Sequence, residues 1–488
     1  MENPFLISPS ELSVKSLDPD TLRLLWHDAD AREVRLRQVI AERLAARPPP
    51  VIDDQIVATY FLALRSWTLE RAATEISYHA TSGAKDIPPG SLLERCTGRT
   101  AGVEAFDATG RLGLLHMAFP LKMLLQSDGH LTTTDLLHTV AGAILFDVYE
   151  NQDVRLIALQ IPQKVLRTFP GPAHGSQGVR QLTGFGAAEP AFGTILKPTA
   201  GITPETVGAL VGEAALCPLF LLVKEDENLY PRLDYSPVKE RVRRSVEAIQ
   251  RAQARRGTKG LIFAPHITGA PHEILDSVHA VVEAGATGVM FSESFAQGAV
   301  RMVREATRRL AQPPAIYAHN AGIGVRTRGG IWREVIDLLA RLDGMDWRQT
   351  APVRPGTPFL YPYGDEWLAS EGVLTQALPG IKPTMIARAG GLDQGNILLN
   401  LQDAESRGLS EHILFLAGSA INSIQNAAGK PDPGLGAEAM QQALEVHRSG
   451  ELRAVPVGEH LRALLAVAER KQLQALRQAL RQRYPQRT

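Results

Sequence analysis

The chain has 488 residues, which is too long for one ordinary domain and comfortable for two. Its 52 basic and 52 acidic residues balance, which argues against a nucleic acid or an anionic membrane as the partner. The two cysteines, Cys96 and Cys217, have no zinc-like spacing, which is typical of a reducing compartment. Because the N-terminal sequence does not resemble a signal peptide and no apolar stretch approaches the roughly 20 residues that span a bilayer, we expect a cytoplasmic protein.

The chain is predicted to contain four segments. Residues 1–51 form an extension that carries a helix over 22–46, and this helix is expected to be packed or to face a partner. Residues 52–170 mix strand-like and helix-like periods, which is typical of a small α+β domain. Residues 171–450 form the largest segment, and residues 451–488 form a basic helical tail. For this tail a solvated face or an oligomer contact is favoured over nucleic-acid binding.

The largest segment repeats one pattern. From about residue 191, short apolar runs alternate with long amphipathic segments eight times, which predicts an α/β fold with a C-terminal (β/α)8 TIM barrel. Thr203 and Ser236, each followed by proline, are predicted to cap two of the helices. A doubly wound sheet is the alternative, but no GxGxxG follows the first strand.

Polar residues follow nearly every predicted barrel strand. Chemistry in such barrels takes place at the carboxyl ends of the strands, where eight loops converge, so this concentration predicts an active site. Taken alone, a buried, hydrogen-bonded histidine is favoured over a ligand at His266, and the glycine pair is equally compatible with a tight turn. In strand order, the residues are Lys197; Lys224, Asp226 and Glu227; His266; Glu293; His319 and Asn320; Gln349; Gly390 and Gly391; Gly418 and Ser419.

The second strand ends in a lysine within a group of acids. Alternation along the strand directs Lys224 and Asp226 to the same side, and Glu227 joins them if the strand ends there. Two carboxylates suit Mg²⁺, but a protonated lysine would repel it. Reaction of the neutral amine with CO₂ would turn the lysine into an anionic carbamate and a third oxygen ligand. The alternative is a lysine paired with the two acids and no metal.

Three segments resemble the RuBisCO large-chain superfamily. KEDEN at 224–228 follows the second predicted strand, ILKP at 195–198 follows the first, and IVATYFLAL at 56–64 opens the α+β domain. The resemblance covers roughly residues 52–430 and implies a catalytic barrel whose mouth is completed by the N-terminal domain of a second subunit, hence an obligate homodimer.

The resemblance also implies residue roles. Lys224, as the carbamate, would bind Mg²⁺ together with Asp226 and Glu227, and Lys197 would assist proton transfer and stabilise the enolate. His319 would hold substrate, and the glycine turns after strands seven and eight would bind a phosphate. The substrate-binding residues are then expected to be Thr199, His266, Glu293, His319, Asn320, Arg354, Gly390, Gly391, Gly418 and Ser419, with His79 and Asp135 contributed by the partner subunit.

Several positions depart from the pattern of the carboxylases. Thr199 and Asn320 stand where these enzymes have a lysine and an arginine, and Ala389 stands where they have a serine. His79 falls about where a glutamate is expected, and Asp135 about where an asparagine is. The loop after strand six has no lysine to hold CO₂, and Arg354 is its only arginine. The chain therefore resembles a RuBisCO-like protein lacking several carboxylase residues.

We expect a Mg²⁺-dependent enzyme that forms an enediolate from a small keto-sugar or keto-sugar acid phosphate. Decarboxylation of a 3-oxo sugar acid phosphate in carbohydrate catabolism is favoured over a methionine-salvage type of enolisation or isomerisation. A catalytically silent assembly or regulatory protein is a further alternative, and a true ribulose-1,5-bisphosphate carboxylase is disfavoured. Neither a nucleic acid nor a membrane is expected as a partner.

Overall fold

The computed structural model describes residues 19–147, 151–187, 189–257, 259–353 and 364–485. The chain divides into two compact units. The first runs to Pro48 and includes a short segment that ends at Glu366, and the second contains the remainder. Helix α1 (Pro19–Ala46) lies in the first unit and confirms the predicted helix over 22–46. Within the described residues, no helix is long and apolar enough to cross a membrane.

The second unit begins with a four-stranded antiparallel sheet. Its strand order is β2-β3-β1-β4, so that β1, which is apolar and buried along most of its length, pairs with β3 and β4 in the middle. This sheet and its helices confirm the predicted α+β region. The elements are β1 (Gln55–Leu64), α2 (Leu69–Ser77), a π-helical turn (Tyr78–Ser82), α3 (Leu92–Arg95), β2 (Arg99–Ala105), β3 (Leu112–Pro120), α4 (Leu121–Leu124), α5 (Thr133–Leu137), a second π-helical turn (His138–Gly142), α6 (Ala143–Asp147), β4 (Asn151–Gln160) and α7 (Gln163–Leu166).

An eight-stranded parallel sheet follows and forms the predicted barrel. It runs in the order β10-β11-β12-β13-β14-β5-β6-β9, and a parallel bridge between His266 and Met290 joins the two end strands. All eight predicted strands are present. The strands are β5 (Ala191–Ile195), β6 (Phe220–Lys224), a small antiparallel pair of β7 (Arg232–Leu233) and β8 (Ser236–Pro237), β9 (Ile262–Ala264), β10 (Gly288–Ser292), β11 (Ala315–His319), β12 (Trp347–Thr350), β13 (Met385–Ala389) and β14 (Ile413–Ala417).

Helices surround the barrel strands. The predicted cap at Thr203 is confirmed, because its side chain accepts a hydrogen bond from the backbone N–H of Thr206 and Pro204 opens the helix. The predicted cap at Ser236 is wrong, because this residue pairs with Leu233 and the next helix begins at Val238 after Pro237. The helices are α8 (Gly175–Thr183), α9 (Pro204–Ala215), α10 (Val238–Arg256), α11 (Pro271–Glu283), α12 (Ala299–Thr307), α13 (Ile323–Arg328), α14 (Arg333–Asp343), α15 (Gly364–Thr375), α16 (Ile397–Ser406), α17 (Ser419–Asn422), α18 (Pro433–Ser449), α19 (His460–Arg470) and α20 (Gln474–Arg483), with 3-10 turns at Glu293–Phe295, Ser410–His412 and Val457–Glu459.

The α+β region and the barrel share a hydrophobic interface. Apolar residues of α14, among them Val335, Ile336 and Leu339, belong to the same buried cluster as the residues of β1 and β3. Backbone hydrogen bonds reinforce this contact, because Leu156 of β4 donates to the carbonyl oxygen of Gly330 and accepts from the N–H of Trp332. The antiparallel sheet is therefore fixed to the barrel on the side of α14.

The C-terminal helices pack onto the barrel. Leu476 and Leu480 of α20 are fully buried and join the main barrel core, while the arginines of this helix form its charged face. Tyr484 donates a hydrogen bond to Asp393, in the loop after β13, at 2.7 Å. The tail predicted as a separate segment is thus attached to a loop at the mouth of the barrel.

Candidate active site at the carboxyl ends of the barrel strands

Lys224 is the last residue of β6, and its side chain is completely buried. Its Nζ donates to the backbone oxygen of Glu225 at 3.1 Å and lies 3.7 Å from Oε2 of Glu227. It also lies 5.6 Å from the centre of the Tyr317 ring of β11. Burial lowers the pKa of Lys224 below its ordinary value, although the Glu227 and Asp226 carboxylates oppose this effect. A neutral amine is the form that reacts with CO₂, so the environment favours the state that carbamate formation requires.

The three acids after Lys224 have separate partners. Asp226 is buried, and its Oδ2 accepts a hydrogen bond from Nζ of Lys197 at 2.5 Å. Glu227 is about one-third exposed, and its Oε2 lies 3.5 Å from Nε2 of His319. Glu225 is fully buried and forms an ion pair with Arg241 of α10, at 2.7 Å from Nε. The structure therefore brings together Lys197, Lys224, Asp226, Glu227 and His319, the predicted catalytic and metal-binding residues.

His319 ends β11 and is held as a neutral imidazole. The backbone N–H of Ala321 donates to its Nδ1 at 3.1 Å, so the ring hydrogen lies on Nε2, which faces Glu227. Burial lowers the pKa of His319 well below its ordinary value, and the nearby Lys224 charge acts in the same direction. Next to it, Asn320 is buried, and its Nδ2 has no hydrogen-bond partner among the described residues. These two residues present uncharged donors at this strand end.

Two predicted substrate-binding residues already have protein partners. Both ring nitrogens of His266 are engaged, Nδ1 with the carbonyl oxygen of Leu229 at 3.0 Å and Nε2 with the hydroxyl of Thr268 at 2.5 Å. Glu293 is buried between Arg348 and Arg326, at 2.8 and 3.2 Å. These side chains therefore stabilise the strand ends, and their contact with a substrate stays a prediction.

The two predicted anion-binding turns differ in backbone conformation. Gly390 and Gly391 follow β13 with φ angles of 90° and 88°, which side chains other than hydrogen strongly disfavour. Asn396 donates to the carbonyl oxygen of Gly391 at 2.8 Å and fixes this turn. Gly418 has a φ of −93°, and a Cβ there would meet only Ile195, at 3.7 Å. A glycine is thus required by the fold at the first turn, whereas the second turn leaves room for a side chain.

The remaining predicted residues lie in varied places. Thr199 is partly buried in the loop after β5, and Arg354 lies outside the described residues. In the first π-helical turn, the Nε2 atom of His79 lies 3.7 Å from Glu75. Asp135 lies in the first turn of α5, where its carboxylate accepts a hydrogen bond from Thr132 at 2.7 Å. The predicted contribution of these last two residues to a partner's site is untested by a single chain.

Two supporting contacts were not expected from the sequence. Arg241 holds Glu225, and Tyr484 holds Asp393 beside the glycine turn. Alternation along β6 would have indicated that Glu225 points away from Lys224 and Asp226, toward the surrounding helices. No comparable pattern indicates Tyr484, because its partner lies about 90 residues earlier in the chain.

The donor set fits a hard divalent cation only with a modified lysine. Within the described ranges, no group of three histidine, cysteine, aspartate or glutamate side chains is arranged to hold a metal ion. Asp226 and Glu227 supply two carboxylates, and a carbamate on the buried Lys224 would supply the third oxygen ligand. Without it, the ammonium group 3.7 Å from Glu227 would oppose a cation. Mg²⁺ and CO₂ are therefore expected to bind together.

Comparison with known proteins agrees with this fold. Residues 178–357, which include β5 to β12, match the model of the ribulose bisphosphate carboxylase large chain, catalytic domain. Over this segment the chain is therefore similar to the RuBisCO large-chain family. Its α+β region and barrel match the fold of an octameric ribulose-1,5-bisphosphate carboxylase/oxygenase from Pyrococcus horikoshii, with a TM-score of 0.74 and 22% identity over 90% of this chain and 96% of that one.

Relatives within the RuBisCO family have different names. The ribulose bisphosphate carboxylase of Archaeoglobus fulgidus is 28% identical over 83% of this chain and 91% of its own length. A 3-oxo-isoapionate-4-phosphate transcarboxylase/hydrolase of Xanthobacter autotrophicus is 34% identical over 57% of this chain and 62% of its own length. A 3-oxo-isoapionate-4-phosphate decarboxylase of Rhizobium rhizogenes is 28% identical over 59% of this chain and 70% of its own length. The structure of a RuBisCO-like protein, MtnW, of Alicyclobacillus acidocaldarius matches with a TM-score of 0.70 and 26% identity over 88% of this chain and 99% of that one. Similarity to the RuBisCO family therefore does not decide the reaction.

Proposed function

We propose that this chain is a RuBisCO-like, Mg²⁺-dependent decarboxylase of a 3-oxo sugar acid phosphate. The observation that carries the proposal is the buried Lys224 beside Asp226 and Glu227, together with the uncharged pair His319 and Asn320 at the end of β11. Relatives that act on 3-oxo-isoapionate-4-phosphate support this class of substrate. We propose that Asp226, Glu227 and carbamylated Lys224 hold the cation.

In a 3-oxo acid, the bond between the carboxylate and the neighbouring carbon breaks, and its electron pair moves toward the ketone. A divalent cation, when bound, stabilises negative charge as it develops on the ketone oxygen. Lys197, whose Nζ contacts Asp226, then returns a proton to the enediolate. His319 directs its Nε2 hydrogen toward the same site and can donate to a substrate oxygen without adding charge. The turn at Gly390 and Gly391 holds the phosphate on backbone N–H groups.

Carboxylation of ribulose 1,5-bisphosphate is less well supported, although carboxylases are among the relatives. The described site has Thr199 and Asn320 where the resemblance leads us to expect a lysine and an arginine. The buried arginines near the mouth are already paired, as Arg348 is with Asp337 and Glu293. The loop after β12 contains no lysine in the sequence. These features favour CO₂ release over CO₂ capture.

The test is an assay of purified protein, preincubated with bicarbonate and Mg²⁺, on 3-oxo-isoapionate-4-phosphate and related keto-sugar phosphates. The proposal predicts release of CO₂ that depends on Lys224. Proton exchange or isomerisation without CO₂ release would instead indicate an enolase or isomerase. No turnover, with Mg²⁺ still bound, would indicate a catalytically silent protein.

We also propose that the protein is a homodimer, or a dimer-based oligomer, with the site shared between subunits. Octameric assembly of a protein with the same fold supports the proposal. Mixing inactive Lys224→Ala protein with inactive His79→Ala protein should restore part of the activity, because some mixed dimers then contain one intact site. If each variant is inactive and the mixture gains nothing after subunit exchange, His79 does not act on the partner's site.

A further inference from the structure

Arg241 lies in the first turn of α10 and is completely buried. Each of its five N–H groups has an acceptor: Nε and Nη2 donate to the two oxygens of Glu225 at 2.7 and 2.9 Å, and the others donate to backbone carbonyls of the loop after β6. We infer that Arg241 is a positioning residue that sets the geometry of the cation site through Glu225, although it contacts none of the proposed ligands. This inference rests on the proposed function of Asp226 and Glu227 as ligands.

Glu225 lies between Lys224 and Asp226 in the chain. Its backbone N–H donates to Ala264 at 3.0 Å, and its carbonyl oxygen accepts from Lys224. Its carboxylate accepts from Arg241 and also from the backbone N–H of His266 at 2.9 Å. The residue that links the lysine to the aspartate is thereby fixed at its backbone and at its side chain. Rotation of this residue would move the side chains on both sides of it.

Arg241 also contacts the segment that follows Glu227. Arg241 donates to the carbonyl oxygens of Leu229, at 3.4 Å, and Tyr230, at 3.2 Å, and also to that of Ser236. This segment begins with Asn228, whose backbone and side-chain nitrogens donate to Oδ1 of Asp226 at 3.1 and 3.0 Å. The guanidinium group therefore holds the loop on both sides of Asp226 and Glu227, at Glu225 and at 229–236.

A lysine cannot reproduce this arrangement, because an ammonium group has three donors and no planar fork. The same helix provides a matched control. Arg256, the last residue of α10, is also buried, and its five N–H groups donate to the carbonyl oxygens of Ala215, Cys217, Phe220, Lys259 and Gly260. At about 1.5 Å per residue, the two arginines are about 22 Å apart along the helix. Arg256 thus organises the amino end of β6, away from the proposed ligands.

The experiment compares Arg241→Lys with Arg256→Lys in the full-length protein. Mn²⁺ affinity is measured by electron paramagnetic resonance in bicarbonate-equilibrated buffer, and stability is measured by urea denaturation. Both variants should lose stability, because each loses buried hydrogen bonds. Only Arg241→Lys should weaken Mn²⁺ binding, by roughly 10-fold or more, the usual scale for a residue that orients a metal ligand.

If Arg241→Lys does not fold, Glu225→Gln replaces it in the experiment. Glutamine keeps the shape of the glutamate side chain, and this variant should also bind Mn²⁺ more weakly than Arg256→Lys. If Arg241→Lys, or Glu225→Gln in its place, binds Mn²⁺ as tightly as Arg256→Lys does, the inference is overturned. The proposed metal site would not be affected by this result. If the wild-type protein itself binds no Mn²⁺ in bicarbonate, the proposed function fails and the inference fails with it.

Discussion

Replacing Asp343 with asparagine should stabilise the protein in a pH-dependent way. Asp343 ends α14 and is buried, and its Oδ2 accepts a hydrogen bond from Thr133 of α5 at 2.6 Å. Its Oδ1 has no hydrogen-bond partner in the part of the chain that the structure describes. Burial raises the pKa of Asp343 from 3.8 to about 7, because the hydrogen bond from Thr133 and the charge of Arg301 offset only part of the desolvation of the carboxylate.

The magnitude follows from linkage between protonation and folding. The pKa of Asp343 is higher in the folded than in the unfolded chain, so its favourable contribution is complete below about pH 4 and is lost as pH rises to 7. A pKa difference of about three units, at 1.36 kcal/mol each, corresponds to a loss of about 4 kcal/mol in the free energy of unfolding, taken as an upper limit. Asparagine cannot ionise, so Asp343→Asn should gain stability relative to wild type as pH increases, by up to about 1.5 kcal/mol at pH 5 and 4 kcal/mol at pH 8.

The assay is urea denaturation of both proteins between pH 5 and 8, with Asp337→Asn as the control. Asp337 lies on the same helix and is equally buried, but the Arg333 and Arg348 guanidinium groups overcome the effect of burial and lower the pKa of this carboxyl. Asp337→Asn should therefore destabilise the protein at pH 7, by about 3–5 kcal/mol. A stability advantage of Asp343→Asn that is constant or falls between pH 5 and 8 would show that the pKa of Asp343 is not raised in the folded protein.

Three further predictions concern the proposed chemistry. Lys197→Met should retain Mn²⁺ binding and lower kcat by roughly 10²-fold, because it loses a proton-transfer group; a change in KM alone would show that Lys197 only anchors substrate. Gly391→Val should raise KM steeply, because Gly391 lies in the proposed phosphate turn with a φ of 88°, which a valine strongly disfavours. Gly408→Val is the control for backbone strain, because Gly408 has a φ of 65° in another loop, and this variant should leave KM unchanged. Labelled bicarbonate should not enter ribulose 1,5-bisphosphate, and labelled 3-phosphoglycerate above a Lys224→Ala background would contradict the proposed reaction.

The barrel could be predicted from the sequence because its pattern is local and repeated. Apolar runs such as 220–224 are separated by long amphipathic segments, and each run became a strand. The prediction failed at Ser236, where a serine before a proline resembles a helix cap. In the fold, Leu233 and Ser236 pair across a tight turn, and Pro237 takes the position before the helix. Local preference was overridden by a short-range backbone pairing.

The candidate site could be predicted only in part. The strand ends indicated that Lys197, Lys224 and Asp226 lie together, and the structure places Lys197 in contact with Asp226. The sequence could not show that Glu293 is already held by two arginines, since these partners come from α13 and β12. Such pairings depend on packing between distant elements, which periodicity along the chain does not encode.

In the proposed site, Lys224 binds CO₂ and thereby creates the cation site. The most direct measurement is ¹³C NMR of the protein in ¹³C-bicarbonate, combined with Mg²⁺ titration with and without CO₂. For the wild-type protein we expect a carbamate resonance that strengthens with Mg²⁺. We also expect tight Mg²⁺ binding only when CO₂ is present. Both results should be lost in Lys224→Ala. Equally tight Mg²⁺ binding without CO₂, or in Lys224→Ala, would contradict the account and leave Lys224 as a buried ion-pair partner of Glu227.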